Sequence, residues 1–504
     1  MPSTPFTTTQ TNGTLVQQSI PPNGVLAGEL AEEESNQHDI ARRHPLGVRP
    51  SGNALTADQN SSRYMGLFAT LPDSLLLTLL EYLDASSLVQ IGGTCRALFA
   101  YSTFDQLWRD IIVNQDPAPL EQDDLKRTFA WRGSWRASQR QLPTADLPRV
   151  DCSNVFSDAL HRPFLCSQIP LSPFVSNIAH QNKIARLNHM SADVFNRQWS
   201  DRPFILTEPV KKWQVYQNWD TGKLLNKYGD VVFRAEAVDW PLRTYIEYMN
   251  GTEDESPLYL FDRSFVEKMK LEVGNDAGAA FESPECFQED LFMLLKEQRP
   301  DHRWLIIGPE RSGSTFHKDP NATSAWNAVI RGSKYWIMFP ASVLPPGVYM
   351  SDDQSEVTSP LSIAEWLLSF HAEARQTPGC IEGICQEGEV LHVPSGWWHL
   401  VVNLAPSIAI TQNFVPRSHV GAAVRFLRYK ANQVSGFKDD VTDPGSLFME
   451  RLKEFQPEIA ASLDDSIERK RKWEEVVDAS DQDNGRANGG FSFGFDDDID
   501  DEDG

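Results

Sequence analysis

The sequence predicts an α+β protein in which a small all-helical block precedes a larger unit of short strands with flanking helices, the two framed by low-complexity tails. Three observations carry this reading. Leucines recur at helical spacing between residues 66 and 112. Aromatic and β-branched runs broken by Gly and Pro fill residues 186–435. Polar, Gly-rich or acidic composition without apolar period occupies both ends.

Residues 1–64 are rich in Ser, Thr, Pro, Gln and Asn, too polar to bury enough surface to offset chain entropy, and are expected to be disordered. The helical block, 66–112, opens at Leu71-Pro72-Asp73, where Pro costs no hydrogen bond and Asp suits a helix N-terminus. Leu75, Leu76, Leu79, Leu80 and Leu83 then fall on one face. Asp84 ends the run, Ser86-Ser87 can cap a second helix carrying Leu88, Ile91 and Cys95, and a third segment presents Leu98, Phe104, Leu107 and Trp108. Three helices make too small a core to stand alone, so a partner is expected. A connector, 113–185, contains the basic and aromatic run KRTFAWRGSWRASQR.

Within 186–435, SAWNAVIRGSKYWIMFP reads as two strands joined by a turn at Arg331-Gly332-Ser333, and EVLHVPSGWWHLVVNL as a second pair turned at Pro394-Ser395-Gly396. SIAITQNFV is a further strand. Such a series of short strands predicts a double-stranded β-helix with flanking helices. A charged helix over 444–476 and an acidic tail over 478–504 complete the chain. The tail is expected to be disordered, and its run Phe491, Phe493, Phe495 followed by seven acids between Asp496 and Asp503 leaves a docking role open beside a solubilising one.

Bulk properties exclude several classes. No run approaches the roughly 18 apolar residues of a membrane helix, and the opening MPSTPFTTTQTNGT lacks a basic start followed by an apolar stretch. The expected location is nuclear or cytoplasmic. A net charge of −24 argues against direct nucleic-acid binding and suits either solubility or attraction to a basic protein partner, without choosing between them. Cys380 and Cys385 have the spacing of half a zinc site, but no second pair accompanies them.

The chemistry centres on Ser314-Thr315-Phe316-His317-Lys318-Asp319-Pro320. Residues two apart on extended chain face one side, so the His317 imidazole and the Asp319 carboxylate can converge on one ion. His399, projecting from the strand after the Pro-Ser-Gly turn, supplies a distant third ligand. Two His and one carboxylate leave cis positions open, which suits non-haem iron(II) and oxygen chemistry. Lys334 opens a strand that carries Trp336 and Met338 on its face, and a Lys entering an aromatic interior is costly unless an anion meets it. His392 precedes the turn and reads as structural, and His302, His371 and His419 have no supporting context.

Two family resemblances add to these readings. The LP, the paired leucines, EYLD, the TCR–AL run and LWR resemble an F-box, which implies docking onto the Skp adaptor of a cullin ubiquitin ligase; a generic helical hairpin packed on the strand-rich unit is the alternative. From MSADVFNRQWSDRPFILTEPV through TYIEYMNGTEDESPLYLFD, RWLIIGPERSG and the HKDP and SAWNA segments to PSGWWHLVVNLAPSIAITQNFV, the chain resembles the JmjC oxygenases, most nearly the phosphatidylserine-receptor-like small hydroxylases.

That resemblance implies a cupin-like core, iron(II) on His317, Asp319 and His399, and 2-oxoglutarate as cosubstrate with its far carboxylate on Lys334. It further implies cosubstrate contacts from Asn327, Thr411, Ser314 (where relatives tend to have Thr) and Tyr259. The implied reaction is oxidation of a C–H bond of a protein side chain, with lysine hydroxylation favoured and N-methyl demethylation open. The alternative function is a catalytically weak substrate receptor of a ligase.

Overall fold

The computed structural model describes residues 43–463 except Thr56, Asp58, 115–128, Ala277, 352–356 and Leu361. The tail expected over 478–504, most of that expected over 1–64, and residues 464–476 of the expected last helix therefore lie outside the described residues.

The described part of the first 64 residues differs from the sequence reading. Val48 is buried, and Arg49 exchanges backbone hydrogen bonds with Val155 (3.0 Å) and Ser157 (2.9 Å), forming a parallel bridge opposite Phe156. Polar composition missed this because the pairing is with chain a hundred residues away.

The helical block has four helices, Asp73–Glu81, Ala85–Gly92, Arg96–Ser102 and Asp105–Val113, since the third expected segment breaks at Thr103-Phe104. Asp84, not Ser86-Ser87, caps the second, accepting from the Ser87 amide at 2.8 Å. The leucine face also splits. Leu76 and Leu80 are buried with Leu88, Leu98, Leu107 and Trp108, whereas Leu75 and Leu79 are 46% and 44% exposed. This core is continuous with that of the strand-rich unit. The two are stitched by the Asp105 carboxylate, which accepts from the Trp135 and Arg136 amides at the start of the connector helix Trp135–Gln139.

Two sheets face each other. The larger runs, by neighbouring strands, 185–187, 204–206, 390–393, 324–331, 407–414, 303–308, 260–262, 232–235 and 238–241. The smaller runs 381–386, 333–339, 398–403 and 313–317. Neither strand pair read from the sequence is a hairpin. Ser324–Arg331 lies in the larger sheet and Ser333–Phe339 in the smaller, and the same holds for Val390–Val393 and Trp398–Asn403. The turns are corners that carry the chain across from one sheet to the other, as a double-stranded β-helix requires. Gly332 makes one corner at φ +82°, where a Cβ would come within 2.4 Å of the Pro406 carbonyl oxygen.

Between the sheets lies a core containing Ile205, Ala325, Val329, Trp336, Leu391 and Val401. Outside the smaller sheet, helix Ile363–Ala374 covers Tyr335, Ile337 and Phe339. Helices Val420–Tyr429 and Pro444–Phe455 form a separate cluster, and the expected helix over 444–476 is interrupted at Gln456, whose φ is −140°.

Candidate metal and cosubstrate site

Strands Gly313–His317 and Trp398–Asn403 run antiparallel with His317 and His399 in register, so their rings meet at 4.1 Å between centroids. The strands approach so closely here that a Cβ on Gly313 would lie 2.0 Å from the Val401 carbonyl oxygen. Asp319 follows the strand end, with extended φ/ψ of −64°/145°, at the start of the turn Pro320–Ala322. One donor atom from each of His317, Asp319 and His399 lies within 4.8 Å of the others, and no other such cluster occurs among the described residues.

Backbone contacts fix the tautomers. His317 Nδ1 is 2.7 Å from the Thr315 carbonyl and His399 Nδ1 is 3.1 Å from the Trp397 carbonyl. A carbonyl only accepts, so each Nδ1 carries the proton and each Nε2 offers a lone pair. Burial, with the neighbouring His317, holds His399 well below the usual imidazole range, so it stays neutral. Asp319 Oδ1 accepts from Asn413 Nδ2 at 3.3 Å, while its Oδ2 is buried with no hydrogen-bond partner among the described residues. Burial pushes this carboxyl up, against the pull of His317 and Asn413. An orphaned carboxylate oxygen beside two imidazole lone pairs fits a divalent cation.

Lys334 is fully buried. Its Nζ donates to the Tyr259 hydroxyl and, at 2.7 Å, to Asn403 Oδ1, both neutral groups. Burial without a carboxylate partner lowers its pKa to about 7. Asn403, paired in register with Lys334, is itself held through Nδ2 by Ser312 at 2.9 Å. The Tyr259 phenol is pushed up by burial and stays protonated, leaving its hydrogen as a further donor. A buried ammonium ringed by neutral donors and acceptors suits an anionic ligand.

The other expected contacts are arranged as follows. Asn327 and Thr411 face each other in register on the larger sheet. Asn327 Oδ1 is buried without a partner among the described residues, and the Thr411 hydroxyl donates to the Trp326 carbonyl at 2.9 Å. Ser314 lies opposite Val401 and lines a cavity of about 370 Å³ together with Arg311, Thr315, His317, Glu236 and Glu255.

Sequence reasoning missed Asn403 and Asn413, although strand alternation from His399 and Thr411 places both on the inward side. It also left His371 and His419 without context. His371 Nε2 meets the Tyr335 hydroxyl at 3.0 Å, and His419 bridges Ser324 and Asp201 at 3.0 and 2.7 Å. His392 is structural as expected, packed against Phe195, Phe204 and Phe287. Cys380 and Cys385 enter different cores on opposite sides of the smaller sheet. No helix among the described residues is long and apolar enough to cross a membrane.

Residues 194–419 match the cupin-like domain family and residues 68–114 the F-box-like family. The chain is 34% identical over 443 residues to the arginine-specific demethylase JMJ22 of Arabidopsis thaliana, covering 85% of each. It is 31% identical over 374 residues to that plant's lysine-specific demethylase JMJ21, covering 71% of this chain and 38% of the relative. Over 241 residues it is 31% identical to the bifunctional arginine demethylase and lysyl-hydroxylase psr-1 of Caenorhabditis elegans, covering 45% of this chain and 59% of the relative. With its donor set, its buried lysine and an F-box-like segment ahead of them, the chain belongs to the JmjC family of iron- and 2-oxoglutarate-dependent oxygenases.

Proposed function

We propose that residues 186–435 form the catalytic unit, with iron(II) on His317, Asp319 and His399 and the far carboxylate of 2-oxoglutarate on Lys334. The observation that carries this is an orphaned acceptor set for a cation and, on strands of the same smaller sheet, a buried ammonium with no anion partner among the described residues. Tyr259 adds a donor beside Lys334, and Asn327, Thr411 and Ser314 complete the expected contacts. Bound iron and 2-oxoglutarate supply oxygen activation, coupling decarboxylation to succinate with oxidation of a C–H bond. The chain's part is to turn both imidazole Nε2 atoms inward through their Nδ1–carbonyl contacts, keep His399 neutral by burial, hold the cosubstrate by charge and exclude water behind the packed sheets.

The substrate of this reading is a basic protein side chain, which the net charge of −24 suits. Lysine hydroxylation is the first reading. Arginine N-demethylation is the second, favoured by the coverage of the chain by a relative named for it. Incubation with iron(II), 2-oxoglutarate and lysine- or methylarginine-containing peptides, read by mass, separates them: +16 Da on lysine supports the first, −14 Da on methylarginine the second, and substrate-independent succinate alone neither.

The block at 66–112 is proposed to dock the Skp adaptor of a cullin ligase. Its support is an unpartnered apolar face, with Leu67, Leu75, Leu79 and Tyr82 exposed on neighbouring turns. Of Leu71, Pro72, Leu76 and Leu80, on which the F-box resemblance places the docking patch, Leu71 and Pro72 keep exposure but Leu76 and Leu80 are buried, so the relevant leucines are Leu75 and Leu79. Joint Leu75→Ala and Leu79→Ala substitution is expected to abolish adaptor pull-down, with about 0.5 kcal/mol or less lost per site. Leu76→Ala instead should cost roughly 2–5 kcal/mol of stability. Retained adaptor binding in the double variant contradicts the docking face.

A further inference from the structure

We propose that the acidic, phenylalanine-bearing segment 491–503 of this chain docks in a groove between the helical block and the connector. The groove, about 450 Å³, is floored by Phe99, Trp108 and Val150 and carries Arg96, Arg136 and Arg140, with no acidic residue in its lining. Arg136 is the informative member. It is buried, its guanidinium stacks over Phe99 at 5.4 Å, and its Nε is buried with no hydrogen-bond partner among the described residues. Burial and the nearby Arg140 press its pKa down against the opposing pull of Asp105, so an anion arriving here relieves a cost that Asp105 offsets only in part. Arg149, between the lining residues Pro148 and Val150, extends the positive edge into solvent.

An occupant must bring aromatic or aliphatic groups for the floor and carboxylates for the rim. In a chain of net charge −24 such a basic, apolar concavity is an exception, and 491–503 matches it on both counts: Phe491, Phe493 and Phe495 lead directly into seven acids. Extended chain from Leu463 to Phe491 spans up to roughly 95 Å, against a radius of gyration of about 22 Å for a compact body of the described size. The segment therefore reaches any face of its own molecule, and tethering raises its effective concentration into the range where a weak contact is occupied. Two motifs that the oxygenase chemistry leaves unused, the basic-aromatic run in the connector and the acidic-aromatic run, become partners.

The test is hydrogen–deuterium exchange on the full chain. Compared with a Phe491→Ser, Phe493→Ser, Phe495→Ser triple variant, the wild-type protein should show about tenfold slower amide exchange in helices Arg96–Ser102 and Trp135–Gln139. Protection should also fall at 0.5 M salt and be restored to the triple variant by a synthetic 489–504 peptide. These substitutions lie outside residues 186–435 and touch none of the proposed site residues, so unchanged melting and succinate turnover certify the fold. Arg136→Gln with Arg140→Gln should give the same loss, and a peptide with the acids kept and the phenylalanines replaced should not restore it. Equal exchange in wild type and triple variant overturns the proposal. So does protection that grows with protein concentration, which assigns the groove to a second copy, or protection that arises only on adding the Skp adaptor.

Discussion

Lys334 and Tyr335 are neighbours on one strand, yet the two faces they serve differ in one respect. On the outer face, the Tyr335 hydroxyl donates to the Glu382 carboxylate, Arg375 reaches Glu382 through Nε at 2.8 Å and Nη2 at 3.0 Å, and Arg375 Nη2 also donates to the Phe174 carbonyl at 2.8 Å. Every charge there has its opposite. On the inner face the ammonium of Lys334 has, among the described residues, only Tyr259 and Asn403 as hydrogen-bond partners. Burying an ion is tolerable when the interior supplies its counter-ion, as at Glu382, and otherwise signals that the counter-ion comes from outside. The lesson extends to Arg299, also buried, which is neutralised by Asp290 and marks no site.

The contrast breaks most visibly through the metal donors. His317→Ala or Asp319→Ala should reduce succinate formation by more than the roughly 100-fold that loss of an outer partner costs, with stability changed by about 1 kcal/mol or less. A variant with near wild-type turnover removes that residue from the ligand set.

Stability sharpens the contrast next. Glu382→Gln should destabilise by about 2 kcal/mol, less than for a fully buried pair because Arg375 keeps some water. Lys334→Met should be neutral or stabilising by denaturant titration, since it deletes an uncompensated buried charge. If Lys334→Met destabilised as much as Glu382→Gln, the two faces would be alike and Lys334 structural.

A smaller effect is its pH dependence. With its pKa at about 7, free Lys334 is charged below that value and neutral above it. A bound dicarboxylate favours the charged form, so the complex holds more protons than the free protein above pH 7. Affinity for 2-oxoglutarate should then be flat below pH 7 and fall by up to about tenfold per unit above it. Lys334→Met should abolish that slope, and a slope that persists assigns the titration elsewhere.

Much of the inner face was legible in the sequence. His317 and Asp319 lie two apart on extended chain, and His399 follows a Pro-Ser-Gly turn, so local geometry alone aims them. Lys334 stood out because it interrupts an apolar strand. Asn403 and Asn413 did not, because an Asn within a strand looks the same whether it meets water or a buried ion, and only the register with Lys334 and the reach to Asp319 decide. The corners at Gly332 and Gly396 have the composition of hairpin turns, and which sheet the chain enters next depends on partners far away in sequence. The leucine helix posed a similar problem. Leu75 and Leu79 are offset from Leu76 and Leu80 by one residue, and only the packing of Leu107 and Trp108 shows which pair is inside. The order at 43–64 was invisible for the same reason, resting on backbone pairing to 155–157.

The central claim, that the inner face is an open anion site beside a metal site, is tested most directly by calorimetric titration of 2-oxoglutarate into protein loaded with manganese(II) under fixed pH. One molecule should bind per chain, with affinity reduced by about 30-fold or more in Lys334→Met, the loss of a charged hydrogen bond worth roughly 2 kcal/mol or more, and unchanged in Glu382→Gln. Equal binding by wild type and Lys334→Met would contradict the account.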